Sequence, residues 1–325
     1  SLQANTTASN NTAMGYAALG ANTTGADNVA VGYAALDANT TASENTAVGS
    51  FSLSTNSTGA ENVAVGYSAL SNATTASYNT AVGKSSLGSN TTGANTAVGT
   101  EAMDANTTGS ANVAVGYRAL DANTTASNNT AIGQSALGAN TTGAQNTALG
   151  RNAGLSVTTG SNNLLLGYDA GQSGSPGGAI STGSNEIVLG DENITEAHIQ
   201  VDWTVASDAR DKTDIADLNV GLEFVNQLQP KTYRWDQRSL YGDERDVFPD
   251  GTYKKDQLDV GFLAQDVDAL EEQLGFGKAD KKNLISSLSE DGQMYGLKYN
   301  KFVPMLVNAI QELSAEIEKL KKEKN

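Results

Sequence analysis

A nucleophilic side chain needs a base within reach, and this chain offers few. It has no cysteine and a single histidine, His198. That excludes thiolate nucleophiles, thiolate zinc sites, histidine triads and multi-histidine metal sites within the chain. One run gathers a hydroxyl, an amine and flanking charges: Ser207-Asp208-Ala209-Arg210-Asp211-Lys212. A serine Oγ can attack the carbonyl directly before it, here that of Ala206, giving an ester that water opens. Lys212 is the base in that reading. Its amine is protonated at neutral pH unless desolvated, so it must become buried for its pKa to fall. Asp208 or Arg210 would orient the pair or stabilise the oxyanion, and residue types do not rank them. Taken alone, the run also reads as a Ser-Asp helix cap followed by a mixed-charge first turn.

What positions that run is a chain of two compositions. Residues 1–184 carry 8 acidic and 3 basic side chains, and the remaining 141 carry 28 and 17. The net charge of -16 leaves no basic face for a nucleic-acid backbone. No apolar run approaches the ~20 residues that span a bilayer. The start, Ser1-Leu2-Gln3, has neither an initiator Met nor signal-peptide regions and reads as a fragment. No cofactor or metal site is expected.

The charge-poor part is a repeat. The pentapeptide Asn-x-Ala-hydrophobic-Gly recurs at Asn11, Asn28, Asn45, Asn62, Asn79, Asn95, Asn112, Asn129 and Asn146, with period 17 and one step of 16 between Asn79 and Asn95. Degenerate copies follow at Asn163-Leu164-Leu165-Leu166-Gly167 and Glu186-Ile187-Val188-Leu189-Gly190. A period this short means a solenoid. Period-two alternation, as in Val29-Ala30-Val31-Gly32-Tyr33, predicts a strand, and Asp37-Ala38-Asn39-Thr40-Thr41 a turn. The recurring glycine marks a left-handed or very close backbone. A second-order alternation of Asn-Thr-Ala and Asn-Val-Ala units suggests a true repeat of 34 residues. Each coil is expected to put a Val or Ile, a Leu and some Ala inside. So thin a core argues for several chains sharing one, a homotrimer.

Three sharper readings of the array rank below plainer ones: turn chemistry for Asn-Thr-Thr, a solvated edge for the threonine ladder and a surface insertion for the glycine-rich loop. The sharper ones are Asn-Thr-Thr as glycosylation acceptor, a Thr24, Thr41, Thr58, Thr75, Thr92 ladder as ice-binding face, and the glycine-rich 171–178 loop as phosphate cradle. That loop lacks the Gly-Lys-Ser/Thr ending of a phosphate cradle and is expected to be a surface insertion.

The pentapeptides resemble the head repeats of trimeric autotransporter adhesins, which implies a left-handed parallel β-roll built from three chains. The run from Ser207 resembles the junction of the intramolecular chaperone auto-processing domain found at the end of phage tailspikes and tail fibres such as endosialidases. Ser207, Asp208, Arg210 and Lys212 match its Ser-Asp-x-Arg-x-Lys motif, with Asp211 in place of the usual Leu. Gly261-Phe262-Leu263-Ala264-Gln265-Asp266-Val267 and Tyr299 to Leu313 continue the likeness. The resemblance implies one cut, between Ala206 and Ser207, with Ser207 and Lys212 as catalytic pair and residues 207–325 as a trimerisation chaperone.

Within that module, helices are predicted over Asp217–Leu228, near Gln265–Gln273 and from about Lys301, and strands at 232–235, 258–262 and 292–298. Val303, Leu306, Ile310, Leu313, Ile317 and Leu320 follow 3-4 spacing, a coiled-coil seam of three heptads. Apolar residues at 197, 199, 201, 203 and 205 predict a β neck over 186–206, with His198 on its polar phase.

The expectation is therefore an all-β trimeric solenoid over 1–185, a β neck over 186–206, and a mixed α/β chaperone domain over 207–325 ending in a heptad helix. Function follows as a tail fibre or tailspike, assembled in the host cytoplasm and carried on the virion. Its expected partners are two further copies, a host surface receptor (a glycan or outer-membrane component), and other tail proteins through a missing N-terminal region. A bacterial trimeric surface adhesin without enzymatic activity is the alternative. A glycan-degrading tailspike ranks lower, because no paired carboxylates stand out in the array.

Overall fold

The computed structural model describes residues 1–200, 202–241, 248–277, 283–289, 292 and 294–324, apart from the side chains at 239 and 240. It divides into two units, Ser1–Asn193 and Ile194–Asn325.

The first unit is a solenoid. Eleven three-residue strands, from β1 (Thr12–Met14) and β2 (Val29–Val31) to β10 (Leu164–Leu166) and β11 (Ile187–Leu189), stack in chain order. Every pairing is parallel, and equivalent residues face each other: Thr12 with Val29, Ala13 with Ala30, Met14 with Val31. The solenoid therefore runs past 185, because Ile187–Leu189 is its last rung. Within the stretch assigned to a β neck, residues 194–200 and 202–206 lie outside any strand.

The strands turn the opposite way from the expected interior. Each strand's central residue points inward, and Ala30, Ala47, Ala64, Ala81, Ala97, Ala114, Ala131 and Ala148 are fully buried. The flanking valines are half-buried or exposed on the outer face. Facing the alanines inside is a column of buried leucines, Leu19, Leu36, Leu53, Leu70, Leu87, Leu120 and Leu137, with Met103 in the same series. The interior is too narrow for two large residues. Where the strand centre grows to Leu165, the leucine column shrinks to Gly154 and Gly171, whose hypothetical Cβ atoms would lie 2.8 and 2.4 Å from Leu165 methyls. The column leucines adopt the left-handed region (Leu36, φ 50°). That costs about 1–2 kcal/mol, which full burial of a leucine, about 1.5–3 kcal/mol, offsets.

Two ladders of buried asparagine flank this core. In the pentapeptide ladder each side chain serves its neighbour: Asn62 N–H donates to Asn45 Oδ1 (3.0 Å), and Asn62 Nδ2 donates to the Ala76 carbonyl (2.8 Å). The second ladder is the asparagine of Asn-Thr-Thr. Asn39 Nδ2 donates to Asn22 Oδ1 (2.9 Å) and to Ala42 O (3.0 Å). Asn22, Asn39, Asn106, Asn123 and Asn140 are fully buried, so turn chemistry and not glycosylation explains the pattern. At the short coil the ladders cross, with Asn90 Nδ2 donating to Asn79 Oδ1 and Asn95 Nδ2 to Asn90 Oδ1, both at 3.3 Å. The second ladder ends at Asn140, whose Oδ1 is unpartnered because Val157 stands where the next donor would be.

The expected glycine constraint holds. A Cβ on Gly49 (φ 135°) would lie 2.4 Å from the Gly66 carbonyl oxygen. The 34-residue alternation is real as well: the Ala26 and Ala60 amides donate to the Ser43 and Ser77 hydroxyls of the following coils, each at 3.0 Å. The loop at 171–178 is an insertion tied to itself by buried Ser175, whose Oγ accepts from Gly171 N–H and donates to Asp169 O, both at 2.9 Å.

In the second unit, β12 (Lys231–Tyr233) pairs antiparallel with β13 (Asp259–Gly261), and β14 (Ser286–Leu288) with β15 (Tyr295–Leu297). Helices α1 (Leu222–Gln227), α2 (Ala264–Gln273) and α3 (Phe302–Glu323) pack around Val220, Phe224, Val267, Leu270, Ile285, Phe302 and Met305. Helix α1 is shorter than predicted. It begins only after Gly221 (φ -145°, ψ -123°), which leaves Leu218 outside the helix. Strand β14 was not foreseen, since Ser286-Ser287-Leu288 carries no alternation signal.

Replacing Asn62 by Ala strands the Asn79 amide and the Ala76 carbonyl. The expected cost is about 1–3 kcal/mol for each unpaired group, read as a lower midpoint of chemical unfolding. Burial raises the Asp37 carboxyl above its ordinary range, and its Oδ1 has no partner. The folded state then binds that proton more tightly than the unfolded chain, so this group's contribution falls as pH rises through the folded pKa. Asp37→Ser, matching Ser54 and Ser71, should raise the melting temperature at neutral pH and leave it unchanged under acid.

Candidate active site

Residues 207–212 form one exposed turn. Asp208, not Ser207, caps it: its carboxylate accepts from Arg210 N–H at 2.9 Å and opens a 3-10 turn over Ala209–Asp211. Arg210 reaches back onto the same carboxylate, with Nε at 3.1 Å and Nη2 at 2.6 Å. These side-chain bonds, then the backbone one, hold the Asp208 carboxyl below the usual range. With the cap supplied by Asp208, Ser207 is free for another partner. Lys212 Nζ donates to Ser207 Oγ at 2.7 Å. The cap of the motif is therefore made by Asp208, and the Ser207 hydroxyl is left in contact with Lys212.

The pairing sorts the four motif residues. Ser207 and Lys212 meet directly, while Asp208 and Arg210 meet each other and shape the turn that brings position 212 back to 207. Residues 206–214 are all exposed, so a single chain does not desolvate the lysine. Upstream, Ile199, Trp203 and Val205 are 51%, 72% and 67% exposed and lie outside any strand. Ala197 of the same alternation is exposed as well, and Val201 lies outside the described residues. His198 pairs with Glu196 at 3.0 Å on the surface.

The two downstream stretches interlock. A Cβ on Gly261 would lie 2.4 Å from the Tyr299 hydroxyl, and that hydroxyl accepts from Phe262 N–H at 3.2 Å. The Phe262 ring stacks on Phe302 with centroids 5.0 Å apart. In the same unit is a residue that sequence reasoning passed over. Glu271 is 1% exposed and accepts from the amides of Leu284 and Ile285 (2.7 Å each) and Ser286 (2.9 Å), tying β14 to α2. Its only signal was a carboxylate on the apolar face of α2, one and four positions from Leu270 and Val267.

Helix α3 uses one face within its own unit, burying Phe302, Met305 and Ala309. The predicted seam is on another face, with Val303, Leu306, Ile310, Leu313, Ile317 and Leu320 all between 44% and 64% exposed. Among the described residues, no cluster of three His, Cys, Asp or Glu side chains could hold a metal ion, and no helix is long and apolar enough to cross a membrane.

Residues 207–276 match the family model described as chaperone of endosialidase. The match begins on Ser207 and ends on Phe276, so Tyr299–Leu313 lies beyond it. No curated protein and no solved structure matches the chain. The family match and the parallel solenoid fit a tail fibre with a C-terminal chaperone domain.

Gly261→Ala should destabilise the second unit by about 1–3 kcal/mol through overpacking against the Tyr299 hydroxyl. Adding Tyr299→Phe, which removes that oxygen, should recover most of the loss in thermal unfolding. An uncompensated double variant would refute the interlock.

Proposed function

We propose that this chain is a tail-fibre attachment protein whose residues 207–325 bring three copies together and then cut themselves off at Ala206-Ser207. The observation that carries the reading is the 2.7 Å contact between Lys212 Nζ and Ser207 Oγ on the residue directly after the scissile carbonyl.

The chemistry needs only groups on this turn and water. With Lys212 neutral, the contact reverses and Ser207 Oγ–H donates to Nζ. Oγ attacks the Ala206 carbonyl carbon, its proton passes to Lys212, and a tetrahedral oxyanion forms. Collapse breaks the Ala206–Ser207 C–N bond as Lys212 returns the proton to the departing amine. Ala206 is now an ester on Oγ and Ser207 a free amine. Water, deprotonated by the same base, hydrolyses the ester to an Ala206 carboxylate and restores the hydroxyl.

Assembly supplies the missing desolvation. Among the described residues, three apolar surfaces are exposed in one chain: Ile199, Trp203 and Val205, the α3 seam, and the outer face of the solenoid. On that face Met14, Val31, Val48, Val65, Val82, Val98, Val115, Ile132, Leu149, Leu166 and Leu189 form one column across all eleven strands. At roughly 4.8 Å per strand the column is ~50 Å long, a length of apolar surface that marks an interaction site. Copies of the same chain carry the matching column, and the seam on α3 has coiled-coil spacing. Joining three chains along these surfaces dehydrates Lys212 and lowers its pKa, so the cut reports assembly. Once the chaperone leaves, the solenoid trimer is kinetically trapped. A host surface glycan or outer-membrane component is the receptor, and other tail proteins are further partners.

Intact mass of freshly expressed protein should show a species beginning at Ser207. Ser207→Ala should stay whole, and Lys212→Ala should be cut at least about tenfold more slowly. Val65→Lys, which puts a charge in the column, should lower the trimer fraction in light scattering and cleavage with it. An uncut wild-type chain would favour the adhesin reading.

A further inference from the structure

Beyond the dyad, the path from the cleavage turn into the fold has one anchor. Leaving Lys212, the chain runs through exposed residues 213–217, and its first long-range hydrogen bonds among the described residues are made to α3. Asn308 Nδ2 donates to Leu218 O at 3.1 Å and Val220 O at 3.2 Å. It also donates to Glu312 Oε1, one turn along, at 3.1 Å. Glu312 Oε2 in turn accepts from Leu222 N–H at 2.7 Å, although the two are 90 residues apart. Gly221 is what lets the carboxylate in: a Cβ there would lie 2.3–2.6 Å from its carbon and both oxygens.

Asn308 and Glu312 share a helix face with buried Met305 and Ala309, at spacings of three and four. The seam residues lie on a different face. Helix α3 is thus joined to the segment behind the dyad on one side and open to a partner copy on the other. We infer that Glu312 is a positioning residue for the Ala206-Ser207 cut. By clamping Gly221-Leu222, it sets where the Lys212 turn sits relative to the assembled helices. This rests on the cleavage reading above and adds a residue that touches neither reacting group.

The test follows first-order loss of the full-length chain, alongside light scattering, for wild type and five variants, Ser207→Ala among them. Glu312→Ala and Gly221→Ala should each slow cleavage about ten- to hundredfold, the effect of losing a charge-assisted hydrogen bond, while the chains remain trimeric. The double variant should be no slower than the slower single, since both break one contact. Glu312→Gln keeps an acceptor for Leu222 N–H and should recover most of the rate. Two results overturn the inference: Glu312→Ala cut at the wild-type rate, or a cleavage loss that only tracks loss of trimer. A wild-type chain that stays whole sinks the cleavage reading itself and the inference with it, whereas Ser207→Ala blocking the cut while Glu312→Ala is silent sinks the inference alone.

Discussion

Stacking near-identical coils leaves each turn with backbone donors and acceptors that three-residue strands cannot serve, and buried asparagine meets them. An amide side chain both donates and accepts, so one residue type per coil can satisfy the coil before and the coil after. Because an unpaired buried polar group costs about as much as a large fraction of domain stability, the ladders dictate equal coil lengths. The array departs from 17 residues at two places, and each shows how the constraint is met: the ladders cross at Asn90, and the longer coil closes on Ser175.

From that constraint the interior dimensions follow. With asparagines on its flanks, the coil has room for an alanine against a leucine and no more, as the exchange of Leu165 against Gly154 and Gly171 shows. The branched residues are then expelled to the outer face. A core complete in one chain and an apolar outer column are two results of one packing limit. The thin core thus argues for association in a different way than its size alone suggests: it is the displaced valines, not an unfilled interior, that lack a partner.

The second unit repeats this division of faces on a helix. Phe302, Met305 and Ala309 close its small core, while the heptad seam stays exposed. The contact between Ser207 and Lys212 is likewise formed but uncovered. Hydrogen-bond geometry within 207–212 is local, set by the Asp208 cap and the Arg210 clamp, whereas the dielectric around Lys212 depends on what covers the turn.

Much of this was legible in the residues. Short-range patterns carry their own geometry, so the 17-residue period, the recurring glycine and the helical spacing of the α3 apolar residues could be read directly, whereas the parallel stacking and the pairing of Ser207 with Lys212 were expected from the family resemblances. What could not be read was set by groups distant in sequence. Period two shows that alternate residues face opposite ways but not which face is inside; the asparagine ladders and leucine column decided that. The 217–228 pattern shows helical spacing, yet Glu312, 90 residues away from Leu222, fixes where α1 starts. Glu271 looked like a charge on a helix until three amides from 284–286 closed around it. The sequence determined the repeat, the motif and the spacing, because each is a local periodicity. Only the tertiary structure decided what is buried, because burial depends on which distant groups arrive to satisfy it.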